Sequence, residues 1–122
     1  LRADSIDSLN QVEIRQILKE HGFPKKTEVG TSACEAAWII IQHAPLDVQK
    51  EYLPMLERAA TEGNIQAALV AALHDRIDVR EGRPQKYGTQ RNRNGICPLL
   101  NKKMVNQWRK EVGLPPLDEY SK

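Results

Sequence analysis

The longest near-continuous apolar stretch of the chain, Ala33 to Ile41, is broken once by Glu35 and stopped by Pro45. It is too short to cross a bilayer, which takes about 20 apolar residues. Such a run has to be buried against other elements, and the chain around it is punctuated at helix-like intervals by Gly22 and Pro24, by Pro45, and by Gly63 and Asn64. A chain of 122 residues buries roughly two thirds of its unfolded surface without help from metal or disulfide. The expected fold is therefore mainly α, a compact single domain over residues 1–122 made of about five helices, with one irregular loop or short hairpin region. A net charge of +2 with 40% apolar residues excludes a disordered chain.

The periodicity predicts a first helix from Asp7 to His21, with Ile14, Ile17, Leu18 and His21 along one stripe. Asp7 and Asn10 extend that stripe; Asp7 suits a cap, whereas Asn10 needs a hydrogen-bond partner if it faces the core. After a loop from Phe23 to Gly30, a helix capped by Thr31 or Ser32 runs to His43 and is expected to be the central one, apolar on nearly every face. Asp47 caps a third segment, Val48 to Glu62, which Pro54 should kink or divide. The fourth helix is expected from Ile65 to Ile77, with Ile65, Ala68, Leu69 and Ala72 inward. Asp78 to Pro98 reads as loop with one short hairpin, Lys102 to Val112 as a last helix, and Leu114 to Leu117 as an extended strap.

Charge is distributed unevenly. From Arg76 to Lys110 there are ten basic residues against two acidic ones, a balance of +8, and the other eight basic and fourteen acidic residues give −6. The basic half should raise the local concentration of anions. Few aromatic residues interleave it, so a small anionic ligand is expected as partner rather than strong nucleic-acid binding. No segment suits a membrane, and oligomeric state is left open. The chain starts at Leu1 without Met or an apolar leader, which suggests a trimmed form and leaves the compartment open.

Three polar features call for explanation. His43 ends the most apolar helix and is expected to be at least half-buried. Arg76 falls four residues after Ala72 and seven after Leu69, which directs its guanidinium inward, where it needs an anion. The segment Gln85-Lys86-Tyr87-Gly88-Thr89-Gln90 gathers amides, a phenol and a hydroxyl around one glycine. A loop of this kind over the end of a helix bundle is where small ligands bind. His43, Arg76, Gln85, Tyr87 and Gln90 are accordingly expected to converge on one pocket.

Gln42-His43, Asp75-Arg76, Gln85-x-Tyr87-Gly88-Thr89-Gln90, then Arg109 before Gly113-Leu114-Pro115 and a terminal Glu119-Tyr120 run through most of the chain. In these motifs the sequence resembles a bacterial domain-of-unknown-function family marked by QH, DR and Q-x-YGTQ. Phe23-Pro24 stands where that family usually has tryptophan before the proline. The resemblance implies a shared site built from Asn10, His43, Asp75, Arg76, Gln85, Tyr87 and Gln90, and it names no reaction.

The chemistry narrows by elimination. His21, His43 and His74 lie 22 and 31 residues apart without a metal-binding spacing, and no metal or other cofactor is expected. Nucleophile elbow, phosphate loop and dinucleotide fingerprint are all missing. The parts left suit metal-independent acid–base chemistry on a small anion, of hydrolase or lyase type. In that reading His43 transfers the proton, Asp75 orients it, Arg76 clamps the charge, and Asn10, Gln85, Tyr87, Thr89 and Gln90 hold the ligand. The alternatives are a non-catalytic ligand- or peptide-binding module, and a helical interaction domain whose polar network only fixes the fold.

Overall fold

A computed structural model of the chain describes residue 13 and residues 15–117. Asp7, Asn10, Ile14, Glu119 and Tyr120, to which the sequence reading gave roles, lie outside the described residues. Among the described residues the chain forms six helices and one two-stranded sheet, so the mainly α expectation holds. Contacts divide it into two compact units, Leu1–Ile65 and Gln66–Lys122.

In the first unit, α1 is helical over residues 15–21 and buries Leu18, whereas Ile17 and His21 are exposed. The loop expected before the second long helix contains a short helix, α2, Lys26–Val29, whose first backbone N–H donates to Asn64 Oδ1 at 2.9 Å. Helix α3, Thr31–Gln42, starts after Gly30, which is the residue at its N-cap in place of Thr31 or Ser32. It is not apolar on every face in the sense of being buried there: only the stripe Cys34, Ala37 and Ile41 is closed off, and Ile39 is 47% exposed. That spacing of three and four residues is one helix face. Helix α4, Leu46–Thr61, follows Pro45 and runs through Pro54 without a break in its assignment. It buries Val48, Gln49, Tyr52, Leu56 and Ala59.

In the second unit, α5, Ala67–Arg80, extends three residues beyond the expected end at Ile77. Its inward face also differs, since Val70, Ala71, Leu73, Asp75 and Ile77 are the buried residues and Ala68, Leu69 and Ala72 only half-buried. Short alanines fit either face of a helix, so the larger Val70, Leu73 and Ile77 decide which one turns inward. The expected hairpin is β1, Arg91–Asn92, paired antiparallel with β2, Gly95–Ile96. Helix α6, Val105–Glu111, is shorter than expected and buries Val105 and Arg109. Leu114 to Leu117 has no regular secondary structure, and Leu117 at its end is buried. Asn106 ties the strap down, accepting from Leu117 N at 2.7 Å.

Candidate functional site

Asp75 is the centre of the second unit's polar network. It is fully buried, and each of its oxygens accepts two hydrogen bonds. Oδ1 accepts the backbone N–H groups of Lys86 and Tyr87, both at 3.0 Å. Oδ2 accepts the Thr89 N–H at 3.1 Å and the Thr89 hydroxyl at 2.8 Å. Successive backbone N–H groups converging on one point form an anion cradle, and here the anion is the chain's own carboxylate.

The Gln85 side chain does for the rest of the loop what Asp75 does for its middle. Fully buried, it donates from Nε2 to Gln90 O at 2.9 Å and Cys97 O at 3.0 Å, and its Oε1 accepts Gln90 N–H at 2.9 Å. Its backbone bridges to Pro98 and Leu100 on the returning segment. Gln90 donates from Nε2 to Ala72 O at 3.3 Å and to Thr89 Oγ1 at 3.0 Å. Gly88 has φ +69°, and a Cβ there would meet Leu117 Cδ1 at 2.7 Å. Arg109 closes the arrangement, donating to Tyr87 O at 2.9 Å and to Pro115 O at 2.6 Å. Gln85, Thr89 and Gln90, expected as ligand donors, thus have partners within the loop and its surroundings.

The side chains that this scaffold leaves with spare capacity are different ones. His74 Nδ1 lies 3.3 Å from Asp78 Oδ2, within ion-pair reach but off the line of a hydrogen bond. Asp78 Oδ1 accepts from Arg83 Nη2 at 2.9 Å, and Arg83 also pairs with Glu81 at 2.7 Å. Those two hydrogen bonds, donated to Asp78 and Glu81 with the Asp78 bond the larger cause, push the Arg83 pKa up. The Tyr87 ring meets His74 in an edge-to-face contact, centroids 6.0 Å apart. Lys86 Nζ sits 5.2 Å from the centroid of Tyr87 and 5.1 Å from that of Trp108, with no carboxylate paired to it among the described residues. The sequence reading missed His74 and Asp78 as a pair, although their spacing of four residues on one helix was the signal for it.

Two expected site residues remain, His43 in the first unit and Arg76 in the second. His43 follows α3 in the first unit and is exposed, which corrects the expectation that it is at least half-buried. Placing it just past Gln42, where α3 gives way to a turn, takes the imidazole off the buried Cys34–Ile41 stripe. Arg76 is half-buried, and its side chain makes no hydrogen bond or ion pair among the described residues; its Nε is closed off from water without a partner there. Helix geometry sets it about 200° around α5 from His74. His74, Asp75 and Asp78 bring one potential metal-ligand atom each within 4.8 Å of one another. Because both Asp75 oxygens are already filled, only His74 and Asp78 keep capacity, short of the three or four protein ligands a zinc site uses.

Each unit has a hollow among its described residues. One of about 300 Å³ in the second unit is lined by Val79, Pro84, Cys97 and Pro98, with Arg83 and Asn92 supplying its polar part. The other, about 390 Å³ in the first unit, is lined by Arg15, Gln16, Lys19, Glu20 and Tyr52 and holds none of the chemistry described above.

No curated protein and no solved structure matches the chain. The model of a family of unknown function, DUF6624, matches residues 2–122. With its Asp75-centred loop and nearly its whole length inside that match, the chain belongs to this family of unknown function.

Proposed function

We propose that the second unit binds a small anion beside Lys86 and that His74 exchanges a proton with it. The observation that carries this reading is the His74–Asp78 pair at the edge of Tyr87, with the Lys86 ammonium on the other aromatic contact of the same ring. A carboxylate beside one imidazole nitrogen orients the ring, leaving the second nitrogen for a ligand. His74 Nε2 has no hydrogen bond among the described residues, and so is available. A lysine without a carboxylate partner supplies a charge for an anion, and the +8 segment around it adds a longer-range attraction.

The His43–Asp75 alternative has less support, because Asp75 spends all its acceptor positions on the loop. Arg76 lies about 200° around α5 from His74 and is not part of this site. A binding module without turnover would use the same groups.

Calorimetric titration with inorganic phosphate tests the anion site. Saturable binding that weakens about tenfold, ~1.4 kcal/mol, in Lys86→Ala and is unchanged in Lys102→Ala is the expected result. Equal affinity in the two variants, or no saturable binding, would refute it. For any anion that is turned over, His74→Gln should bind without turnover if His74 transfers the proton.

A further inference from the structure

We infer that the anion held beside Lys86 carries a planar aromatic ring, which stacks on Tyr87 and Trp108. This rests on the anion site proposed above and names its ligand class. One ammonium lies 5.2 Å from the Tyr87 ring centre and 5.1 Å from the Trp108 ring centre, so two aromatic faces border the same small space. Both rings are half-buried, which leaves part of each open to a ligand.

Their spacing is fixed by the backbone. Arg109, next to Trp108 in α6, donates to the Tyr87 carbonyl at 2.9 Å, and Asp75 holds the Tyr87 N–H at 3.0 Å. The backbone that carries the Tyr87 ring is therefore tied to α6, which carries Trp108. Lys86 fills the space with the end of a flexible four-carbon stem, which can swing aside at small cost. Once displaced, its ammonium stays within reach of a negative group attached to the incoming ring. A bare anion could use the lysine but would leave both aromatic faces unused, and a neutral aromatic would leave the charge unused.

Adenosine monophosphate, ribose 5-phosphate and adenosine separate these contributions, because they present ring with charge, charge without ring, and ring without charge. Binding is read from Trp108 fluorescence in a Trp38→Phe background, and in the unmodified protein by calorimetry, which needs no variant. The expected result is that adenosine monophosphate binds about tenfold tighter than ribose 5-phosphate, the size of one stacked ring, and tighter than adenosine. Trp108→Leu should reduce that difference while leaving ribose 5-phosphate affinity as it was. Equal binding of the two phosphates would overturn the aromatic inference and leave the anion site standing. Adenosine binding as tightly as its monophosphate, or no binding of any of the three, would overturn both.

Discussion

Replacing Asp75 by asparagine changes almost no volume and tests whether the loop is built around a carboxylate. In the native protein Asp75 accepts four hydrogen bonds, all from donors. An amide group must turn its NH₂ toward one pair. The cheaper choice faces Thr89, whose hydroxyl can rotate to accept, so that one backbone N–H of Thr89 is stranded at about 1–3 kcal/mol. The bonds from Lys86 and Tyr87 survive but fall from charge-assisted to neutral strength, about 1 kcal/mol each. Burying a neutral amide instead of a charge returns part of this loss. The net expectation is a destabilisation of about 3 kcal/mol, a large share of the 5–15 kcal/mol typical of a domain. With a urea slope of about 1.5 kcal/mol per molar, the midpoint should fall by about 2 M in a melt followed by far-ultraviolet circular dichroism. Asp78→Asn, at a partly exposed carboxylate held by an exposed arginine, should cost under about 1 kcal/mol. An Asp75→Asn midpoint within about 0.3 M of the wild type would refute the cradle as the organiser of the loop.

Gly88→Ala should cost about 2–4 kcal/mol in the same melt, because it adds a left-handed backbone penalty to a contact 2.7 Å from Leu117 Cδ1; a neutral result would mean that the strap moves freely. Burial pushes the Cys34 thiol above its ordinary value of 9.0. The folded state then keeps its proton longer than the unfolded state, so stability from this group is intact below pH 9.0 and declines as pH rises beyond it. Cys34→Ser should flatten that alkaline decline in denaturant melts, and an unchanged decline would assign it to other groups. A random single-stranded oligonucleotide at physiological salt should show weak or no binding, and tight binding that falls steeply with added salt would contradict the small-anion assignment.

The helices were legible because glycine and proline punctuate the chain where the backbone turns, and that signal is local. Faces were harder. In α3 almost every residue is apolar, yet only Cys34, Ala37 and Ile41 form the buried stripe, because apolar composition does not say which side meets a neighbour. In α5 the alanines made two stripes equally acceptable, and the wrong one turned Arg76 inward where Asp75 is the fully buried charge. Nothing in the helix reveals that reversal. It depends on a loop 11 to 14 residues later that returns to offer Asp75 its N–H groups.

The loop motif was recognisable as unusual, but an amide-rich segment reads the same whether its groups face a ligand or one another. Gln85, Thr89 and Gln90 turn out to be bonded within the network, and Tyr87 and Lys86 keep their side chains for other contacts. His74–Asp78 was legible in principle from its four-residue spacing.

The chain has three histidines, His21, His43 and His74, so imidazole proton–nitrogen NMR spectra resolve the candidates individually. In a titration of the ¹⁵N-labelled protein with inorganic phosphate at constant pH, the account predicts saturable movement of the His74 signals, lost in Lys86→Ala, while His21 stays in place. Movement of His43 without His74, or equal unsaturated drift of all three, would contradict the placement of the anion site beside His74.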